Sequence, residues 1–322
     1  MKRLGSPYQE SKAISRWLNV FFFLARRAPV AVRWSKPFCM MLSRHFFVDH
    51  LRGGIRQNAR RLLGPDSREA EREKLVGRVL ENFYLFIYDV GRAGVMTREQ
   101  LESQVDAVHG HEHYRAAREA GRGAIIATAH MGSFEVGAAA IRTLEPRVHV
   151  AFQHDNFGAF DKIRRRLHRR LGLIEAPVDK GWSVWLQVRD ALMNDEVVLM
   201  QADRTMPDQR GAAVPFFGGR ILMPLGPIKL AVMTGAPIVP VFALRQPNGK
   251  VRVVIAPAIH VDPEQDHPRN GAASPAMLQL ASAIEAQVRA HPEQWLMLHA
   301  AWMDDQAEAD APPGEPAVPI RG

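Results

Sequence analysis

Residues 124–137, with the sequence AIIATAHMGSFEVG, decide the fold expected of this chain. The apolar run Ala124–Ala129 lacks the alternation of a strand that has one face in water, so it predicts a buried parallel strand. Gly132 and Ser133 then turn the chain. The small and apolar residues from Phe134 onward predict a helix whose N-cap is Ser133. A strand, a tight turn and a helix in this order predict an α/β domain.

A histidine and a carboxylate flank the predicted turn. His130 follows the strand directly, and Glu135 lies in the first turn of the helix. Because open α/β sheets bind ligands beyond the carboxyl ends of their strands, the two side chains are expected to meet in a site. This arrangement suits a general base, His130, whose imidazole is oriented by Glu135. The alternative is a core histidine whose hydrogen-bonding groups are satisfied by Glu135.

Further strands and helices are predicted along the rest of the chain. Strands are expected at residues 147–153, 197–201, 239–244 and 251–255, and helices at residues 69–90, 156–171, 182–193 and 274–290. The turn Pro247-Asn248-Gly249 favours a hairpin between the last two strands.

The composition divides the 322 residues into three predicted parts. Residues 1–63 are expected to form a helical segment at a membrane interface, and residues 64–303 a single catalytic domain. Residues 304–322 are acidic and rich in Ala and Pro, so a disordered tail is predicted.

Two aromatic-rich stretches, Ile14–Ala25 and Trp34–Val48, mark the first part. The first is well short of the about 20 apolar residues that span a bilayer, so no transmembrane helix is predicted. No small-residue cleavage site follows it, which argues against a secretory signal. Both stretches mix aromatic and basic residues, which is typical of interfacial helices. The alternative is a helical subdomain that packs on the core.

The net charge of +8 predicts an anionic partner. A phospholipid surface, a nucleic acid and an acidic carrier protein are all compatible with it, but no recognised nucleic-acid motif accompanies the charge. The predicted helix at 156–171 has one strongly basic face, which either receives such a partner or is simply solvated. That face carries Lys162, Arg164, Arg165, Arg166, Arg169 and Arg170. Cys39 is the only cysteine, so an internal disulfide is excluded.

Three histidines alternate in the sequence VHGHEHY. His109, His111 and His113 would share one face of a strand, as an imidazole cluster that holds zinc does. No Cys or carboxylate completes a ligand spacing with them, so surface histidines beside a turn are expected instead. Neither a metal nor another cofactor is predicted.

The stretch around His130 resembles the first signature of a known family. His130, four further residues and Glu135, with Gly132 inside and a strand before them, resemble the motif of glycerolipid and lipid A acyltransferases. The form with glutamate is similar to the lipid A biosynthesis acyltransferases that add lauroyl or myristoyl chains. Later segments resemble further signatures of the same family, in order: residues 202–205 (ADRT), 215–219 (PFFGG), 231–241 (AVMTGAPIVPV) and 291–302 (HPEQWLMLHAAW).

The resemblance implies a fold and a set of site residues. The fold is α/β, with a central mixed, mostly parallel sheet flanked by helices and an N-terminal helical membrane-associating segment. His130 and Glu135 would be catalytic. The residues that would bind substrate are Gly132, Ser133, Asn156, Arg166, Asp203, Arg204, Phe217 and Gly218. Arg204 stands where the family often has Gln. The alternative for Asp203 and Arg204 is a structural ion pair.

The resemblance also implies a reaction, in which a fatty acyl group passes from a thioester of acyl carrier protein or coenzyme A to a hydroxyl or amine of a lipid or glycolipid. A thiolate leaves readily because its conjugate thiol has a pKa of about 8.5, so a single base suffices. His130 would take the proton of the acceptor while Glu135 holds the other imidazole N–H. The backbone N–H groups of residues 131–133 and the charge of Arg204 would stabilise the oxyanion.

The expected location is the cytoplasmic side of the inner membrane, with peripheral or monotopic attachment. The partners would then be the acyl donor, the lipid acceptor and an anionic membrane surface, and no nucleic acid. A lipid esterase or thioesterase is the enzymatic alternative, but the chain lacks a G-x-S-x-G nucleophile elbow. A basic membrane-binding protein without activity is the other alternative, and it would need neither His130 nor Glu135.

Overall fold

The computed structural model describes residues 12–46, 49–154, 158–205, 209–267 and 272–303. The strands are β1 Val105–His109, β2 Ala124–Thr128, β3 Val148–Phe152, β4 Ile174–Pro177, β5 Val197–Gln201, β6 Gly211–Phe216, β7 Gly219–Pro224, β8 Ile238–Arg245 and β9 Val251–Ile255. The helices are α1 Lys12–Arg27, α2 Pro29–Phe46, α3 Asp49–Leu63, α4 Glu69–Ala93, α5 Arg98–Glu102, α6 His111–Arg118, α7 Phe134–Leu144, α8 Gly158–Leu171, α9 Trp182–Met193, α10 Gly226–Thr234 and α11 Pro275–Ala290.

Seven strands form the central sheet, in the order β1-β9-β8-β2-β5-β3-β4. Strands β8, β2, β5, β3 and β4 are parallel, whereas β9 is antiparallel to β8 and β1 runs with β9. Strands β6 and β7 form a separate hairpin. The predicted α/β fold with a mixed, mostly parallel sheet is therefore confirmed.

Helices cover both faces of the sheet, which explains the unbroken apolar run of β2. Ile125 and Ala127 belong to a core cluster shared with α9, α10 and α11. Ile126 belongs to a second cluster shared with α7 and α8. All five residues of β2 are buried. Each fully buried isoleucine contributes about 1.5–3 kcal/mol, so a charged residue in this strand would be strongly unfavourable.

Most predicted elements begin and end within a few residues of the observed ones, and the turn at 247–249 joins β8 to β9 as expected. The shared strand face predicted for the three histidines is wrong. Strand β1 ends at His109, Gly110 adopts a φ of 78°, and α6 begins at His111. Because β1 is antiparallel to β2, these histidines lie at the sheet edge opposite His130. The described residues contain no group of side chains arranged to hold a metal.

The N-terminal helices pack onto the α/β core. Helix α1 contacts α4 and α8, and Leu18, Phe21 and Phe22 are buried there. The stretch Ile14–Ala25 is therefore not exposed as a whole at an interface, because the rings of Phe21 and Phe22 fill the core beneath α1. In the described part of the chain, no helix combines the length and apolar character that crossing a bilayer requires. The boundary at residue 63 stays a prediction.

Residues 294–302 run back along the carboxyl edge of the sheet and are fixed there from two sides. Trp295 forms a bridge with Met131, and the Leu296 N–H donates to the carbonyl oxygen of His130. On the other side, Asn58 on α3 donates to the carbonyl oxygens of residues 297 and 299 and accepts from the N–H of residue 301. The end of the described chain is thus a structural part of this edge.

Candidate active site

Strand register brings His130 and Asp203 together. Strands β2 and β5 are parallel neighbours, with Thr128 opposite Gln201. His130 and Asp203 each follow these partners by two residues, so they lie side by side at the carboxyl edge of the sheet. His130 Nδ1 lies 2.7 Å from Asp203 Oδ1, and the His130 backbone N–H donates to Asp203 Oδ2 at 3.1 Å. The ends of two neighbouring strands thus build a histidine–carboxylate pair.

Asp203 is a fully buried carboxylate with three hydrogen-bond donors. Besides the two from His130, the indole N–H of Trp295 donates to Oδ2 at 3.0 Å. Burial alone would raise the pKa of the Asp203 carboxyl, but the charge and hydrogen bond of His130 outweigh it and lower the pKa to about 2. Asp203 is therefore ionised at every physiological pH, and its orientation is fixed.

The tautomer of His130 follows from this partner. A carboxylate only accepts, so Nδ1 carries the ring proton and Nε2 has a free lone pair. Burial lowers the pKa of His130, and the nearby charge of Arg204 lowers it further, against the opposing effect of Asp203. The side chain remains 15% exposed, and its ring meets Phe134 edge-on with centroids 5.6 Å apart. The arrangement is that of an accessible, neutral base.

The turn after His130 requires glycine at its second position. Gly132 has a φ of +59°, and a Cβ there would lie 2.1 Å from the carbonyl oxygen of Ala243. The Gln294 side chain accepts from the backbone N–H of Arg245 and donates to its carbonyl oxygen, and the backbone carbonyl oxygen of Gln294 accepts from the Gly132 N–H. Only glycine fits this position, so Gly132 allows the tight backbone turn that directly follows His130.

Ser133 lies at the N-cap position, but its side chain does not cap the helix. The hydroxyl donates to Asp89 Oδ2 on α4 at 2.8 Å. Asp89 also forms an ion pair with Arg245, with Nη2 and Oδ2 2.6 Å apart. Ser133 thus belongs to a buried network that joins α7 to α4 and β8, and its oxygen is engaged away from His130.

The backbone donors expected for the oxyanion are already used. The N–H groups of Met131, Gly132 and Ser133 donate to the carbonyl oxygens of Ala129, Gln294 and Ala243, respectively. In contrast, the N–H groups of Phe134 and Glu135, the first two of α7, have no acceptor within the described residues. The first turn of α7 is therefore the better candidate for an anion-binding position.

Glu135 does not orient His130, contrary to the sequence-based expectation. Its Oε2 lies 3.3 Å from Nε2 of His168 on α8. Burial alone would raise the pKa of Glu135, but the hydrogen bond and charge of His168 lower it. The orienting carboxylate is Asp203, which had been expected only to bind substrate. Glu135 remains near enough for its charge to raise the pKa of His130.

Arg204 and His299 are the other ionisable groups around the pair. Arg204 is half-buried and forms no salt bridge with a carboxylate of the described chain, so a structural ion pair with Asp203 is not observed. Burial lowers the pKa of His299 to about 4, with a further contribution from Arg204. The sequence did not indicate His299 or the role of Trp295. Both lie in residues 291–302, and the resemblance of that segment to a family signature is the signal that could have found them.

Three of the remaining predicted substrate-binding residues, Arg166, Phe217 and Gly218, make no hydrogen bond, ion pair or ring contact with His130. Arg166 is half-buried on α8 and lies near Arg26 of α1. Burial lowers the pKa of Arg26, and the nearby charges of Arg166 and Arg27 lower it further. Phe217 packs against Arg289 on α11, with the guanidinium 4.3 Å from the ring centroid. Gly218 makes the adjoining turn with a φ of 73°. Asn156 lies outside the described residues. Their roles in binding stay predictions.

Known proteins are similar to this chain over most of its length. A sequence model described as bacterial lipid A biosynthesis acyltransferase matches residues 8–304. The chain is 28% identical over 281 residues to the phosphatidylinositol mannoside acyltransferase of Mycobacterium tuberculosis, covering 82% of this chain and 81% of that protein.

Two further relatives carry similar names. The phosphatidylinositol mannoside acyltransferase of Mycolicibacterium smegmatis is 26% identical over 267 residues, covering 79% of this chain and 80% of that protein. The lipid A biosynthesis lauroyltransferase of Escherichia coli K12 is 26% identical over 239 residues, covering 73% and 74%. The family match over nearly the whole chain, together with relatives that are named acyltransferases, leads to one conclusion: this chain belongs to the bacterial lipid A biosynthesis acyltransferase family and is an acyltransferase.

Proposed function

We propose that the protein transfers a fatty acyl chain from a thioester of acyl carrier protein or coenzyme A to a hydroxyl or amine of a glycolipid. The observation that carries this proposal is the His130–Asp203 pair, whose Nε2 is a free, neutral base at an accessible edge of the sheet. The relatives are named for a phosphatidylinositol mannoside and for lipid A, both of them glycolipids, which favours a glycolipid acceptor.

Transfer needs a single proton acceptor. His130 Nε2 takes the proton of the acceptor hydroxyl or amine as its oxygen or nitrogen attacks the thioester carbonyl. Asp203 accepts the Nδ1 hydrogen bond and stabilises the imidazolium that forms. The tetrahedral intermediate then collapses, the carbon–sulfur bond breaks, and the imidazolium returns the proton to the departing thiolate. The products are the acylated lipid and a free thiol.

The negative charge that develops on the carbonyl oxygen needs donors. The N–H groups of Phe134 and Glu135 lie at the positive end of α7 and have no acceptor among the described residues. Arg204 adds a positive charge within electrostatic reach of His130. We assign the oxyanion to these groups, in place of the N–H groups of residues 131–133.

Hydrolysis is the competing reaction, and among the described residues no serine, threonine or cysteine side chain hydrogen-bonds His130. The Ser133 hydroxyl, three residues after His130, donates to Asp89, and the Thr128 hydroxyl, two residues before it, donates to the carbonyl oxygen of Ala129. Cys39 packs in the N-terminal cluster beside Ser35. An esterase or thioesterase with a serine or cysteine nucleophile is therefore disfavoured.

Mass spectrometry of reaction products tests the proposal. Purified protein is incubated with an isotope-labelled acyl thioester of acyl carrier protein or of coenzyme A and with a total polar-lipid extract in detergent. We expect the label in a glycolipid, and the preferred thioester identifies the donor. Label found only in free fatty acid would establish hydrolysis and contradict transfer. Comparison of lipids from cells with and without the protein would identify the acceptor.

We propose that α1 and α2 attach the protein peripherally to the cytoplasmic face of the inner membrane. Their exposed apolar side chains follow helical spacing on both helices: Trp17, Val20, Phe23, Leu24, Val30, Trp34, Phe38 and Met41. Arg27 and Arg33 are exposed beside them and suit anionic head groups. Lys36 is engaged by Glu81, so it contributes less than the sequence suggested.

Replacing Trp34 and Phe38 by serine should weaken binding to anionic vesicles by about tenfold or more, because aromatic side chains at an interface contribute through their buried apolar area. These side chains are 81% and 60% exposed, so folding should be unaffected. Co-sedimentation with vesicles of mixed neutral and anionic lipid measures the effect. Trp182→Ser is the matched control, since Trp182 is 73% exposed on α9. Equal binding by all three proteins would refute the assignment of this face, and retention of wild type in membranes through a carbonate wash would refute peripheral attachment.

The pH dependence of transfer should show an acid limb below pH 6.5. The pKa of His130 lies below its ordinary value of 6.5, so the base stays neutral until the pH falls under that value. Asp203, with a pKa of about 2, does not titrate in this range. kcat/KM measured between pH 4.5 and 7.5 should therefore level off as the pH approaches 7 and fall tenfold per pH unit at the acid end. A midpoint above pH 7 would contradict a desolvated histidine base.

A further inference from the structure

His168 on α8 is a buried histidine placed between two carboxylates. Its Nε2 lies 3.3 Å from Glu135 Oε2 on α7, and its Nδ1 lies 3.0 Å from Glu175 Oε1 on β4. His168 is 1% exposed, and the side chains of Glu135 and Glu175 are 10% and 29% exposed. The mechanism described above uses none of the three side chains to carry a proton.

The two contacts fix the protonation state of His168. Carboxylates accept hydrogen bonds and do not donate them, and a neutral imidazole has a single N–H. Both contacts are satisfied only when His168 is an imidazolium. Burial alone would lower the pKa of His168, but the hydrogen bonds to Glu135 and Glu175 raise it to about 8. The hydrogen bond from His168 correspondingly lowers the pKa of Glu175, as it does for Glu135.

Glu135 connects this cation to the active site. It is the second residue of α7, its N–H is one of the two donors assigned to the oxyanion, and Phe134 before it packs on the His130 ring. The side chain of Glu135 is anchored through His168, so loss of that anchor would release the first helical turn. We propose that His168, as an imidazolium, is a positioning residue that holds Glu135 and the first turn of α7 in the geometry needed for acyl transfer.

Charge balance makes this anchor sensitive to deprotonation. The charged groups that face the cluster are Glu135 from α7, Glu175 from β4, and Arg164 and Arg165 from α8, and His130 acts on Glu135 from the end of β2. The aromatic ring of Phe152 on β3 covers His168 with centroids 5.9 Å apart. Arg164 also pairs with Asp161 and lies 4.4 Å from the Phe152 ring centroid. Without the His168 charge, the two carboxylates would face each other across a neutral ring, which is unfavourable in a buried cluster.

The first test compares pH profiles of transfer. This test, which measures acyl transfer, rests on the proposed function. The wild-type rate should fall as the pH rises through about 8, because His168 then loses its proton. His168→Gln, which is neutral at every pH, should be at least tenfold slower at pH 7. His168→Arg keeps the charge and should retain more of the rate without the alkaline limb. A rate for His168→Gln within twofold of wild type, or an identical alkaline limb in His168→Arg, would overturn the inference.

Two controls separate positioning from a general loss of stability. His149 is also buried and bonds a carboxylate, with Nε2 2.6 Å from Glu196 Oε2, near the amino end of β3. His149→Gln should lower the melting temperature as His168→Gln does, yet leave the rate within twofold of wild type. The second control is the pair Glu135→Gln and His168→Gln. Because His168 acts through Glu135, the double variant should be no slower than Glu135→Gln alone, and additive losses would overturn the inference.

The protonation state is measurable without any activity. In protein labelled with ¹³C and ¹⁵N in histidine, the ring resonances that His168→Gln removes should show an imidazolium at pH 7 and a transition near pH 8. A neutral ring at pH 7 would overturn the inference even if transfer is observed. An imidazolium in a protein without transfer activity would instead refute the proposed function and leave the His168 contacts intact.

Discussion

His130→Ala should lower the rate of acyl transfer by roughly 10²- to 10⁴-fold, the range that a general base commonly supplies. The variant removes Nε2, the free lone pair of the site, and leaves Asp203 with its hydrogen bonds from Trp295 and from the backbone N–H of residue 130. The fold should persist, because the histidine side chain lies at the edge of the sheet and is not part of its hydrophobic core. Turnover with an acyl thioester and circular dichroism measure the two effects.

His113→Ala is the matched control for this variant. His113 lies in α6 at the opposite edge of the sheet and is half-buried, far from His130, so its loss should leave the rate unchanged. If folded His130→Ala kept more than a tenth of the wild-type rate while His113→Ala kept all of it, His130 would not be the base.

Asp203→Asn should reduce kcat by roughly 10²- to 10⁴-fold with a much smaller change in KM. The amide has nearly the same volume, so the packing around Trp295 is preserved. However, it can donate to Nδ1, which favours the tautomer with the proton on Nε2 and removes the base. It also removes the charge that stabilises the imidazolium in the transition state. Steady-state kinetics of this variant measure both parameters.

Trp295→Phe separates the charge of Asp203 from its orientation. This change removes one of the three donors to the carboxylate and keeps a large ring in the cluster with Phe216. The expected loss in kcat is about 10- to 150-fold at most, because one hydrogen bond to a charged group contributes about 1.5–3 kcal/mol and each 1.36 kcal/mol corresponds to tenfold in rate. If Asp203→Asn lost less activity than Trp295→Phe, Asp203 would have a structural role only.

The central strand and its helix could be predicted from the sequence because both follow from local patterns. An apolar run of six residues cannot lie at a wet surface, and a histidine directly after it must lie at the strand end. The partner of His130 depends on strand order. β5 lies beside β2 although β3 and β4 come between them in the sequence. No local pattern reveals this neighbour, and the nearest carboxylate in sequence, Glu135, was therefore assigned the role that Asp203 has.

The N-terminal helices show a second limit of local patterns. Phe21, Phe22 and Phe23 are adjacent in sequence and chemically identical, yet the first two are buried and the third is half exposed. Only the packing of α1 on α4 separates them. Trp295 and His299 were missed for a similar reason, since their segment has little regular secondary structure and reaches His130 through tertiary contacts alone.

Residues 294–302 also bear on how the protein becomes active during its synthesis. They supply the Trp295 donor to Asp203, the Leu296 donor to the His130 carbonyl and the Gln294 acceptor for Gly132. Asn58, which fixes this segment, is 243 residues away from its partner at Ala301. Contacts of such sequence separation form late, because the chain between them must be ordered first. A nascent chain that ends before this segment contains His130 and Asp203 but lacks the contacts that fix their positions. We therefore expect catalytic activity only after nearly the whole described chain has been synthesised and has folded.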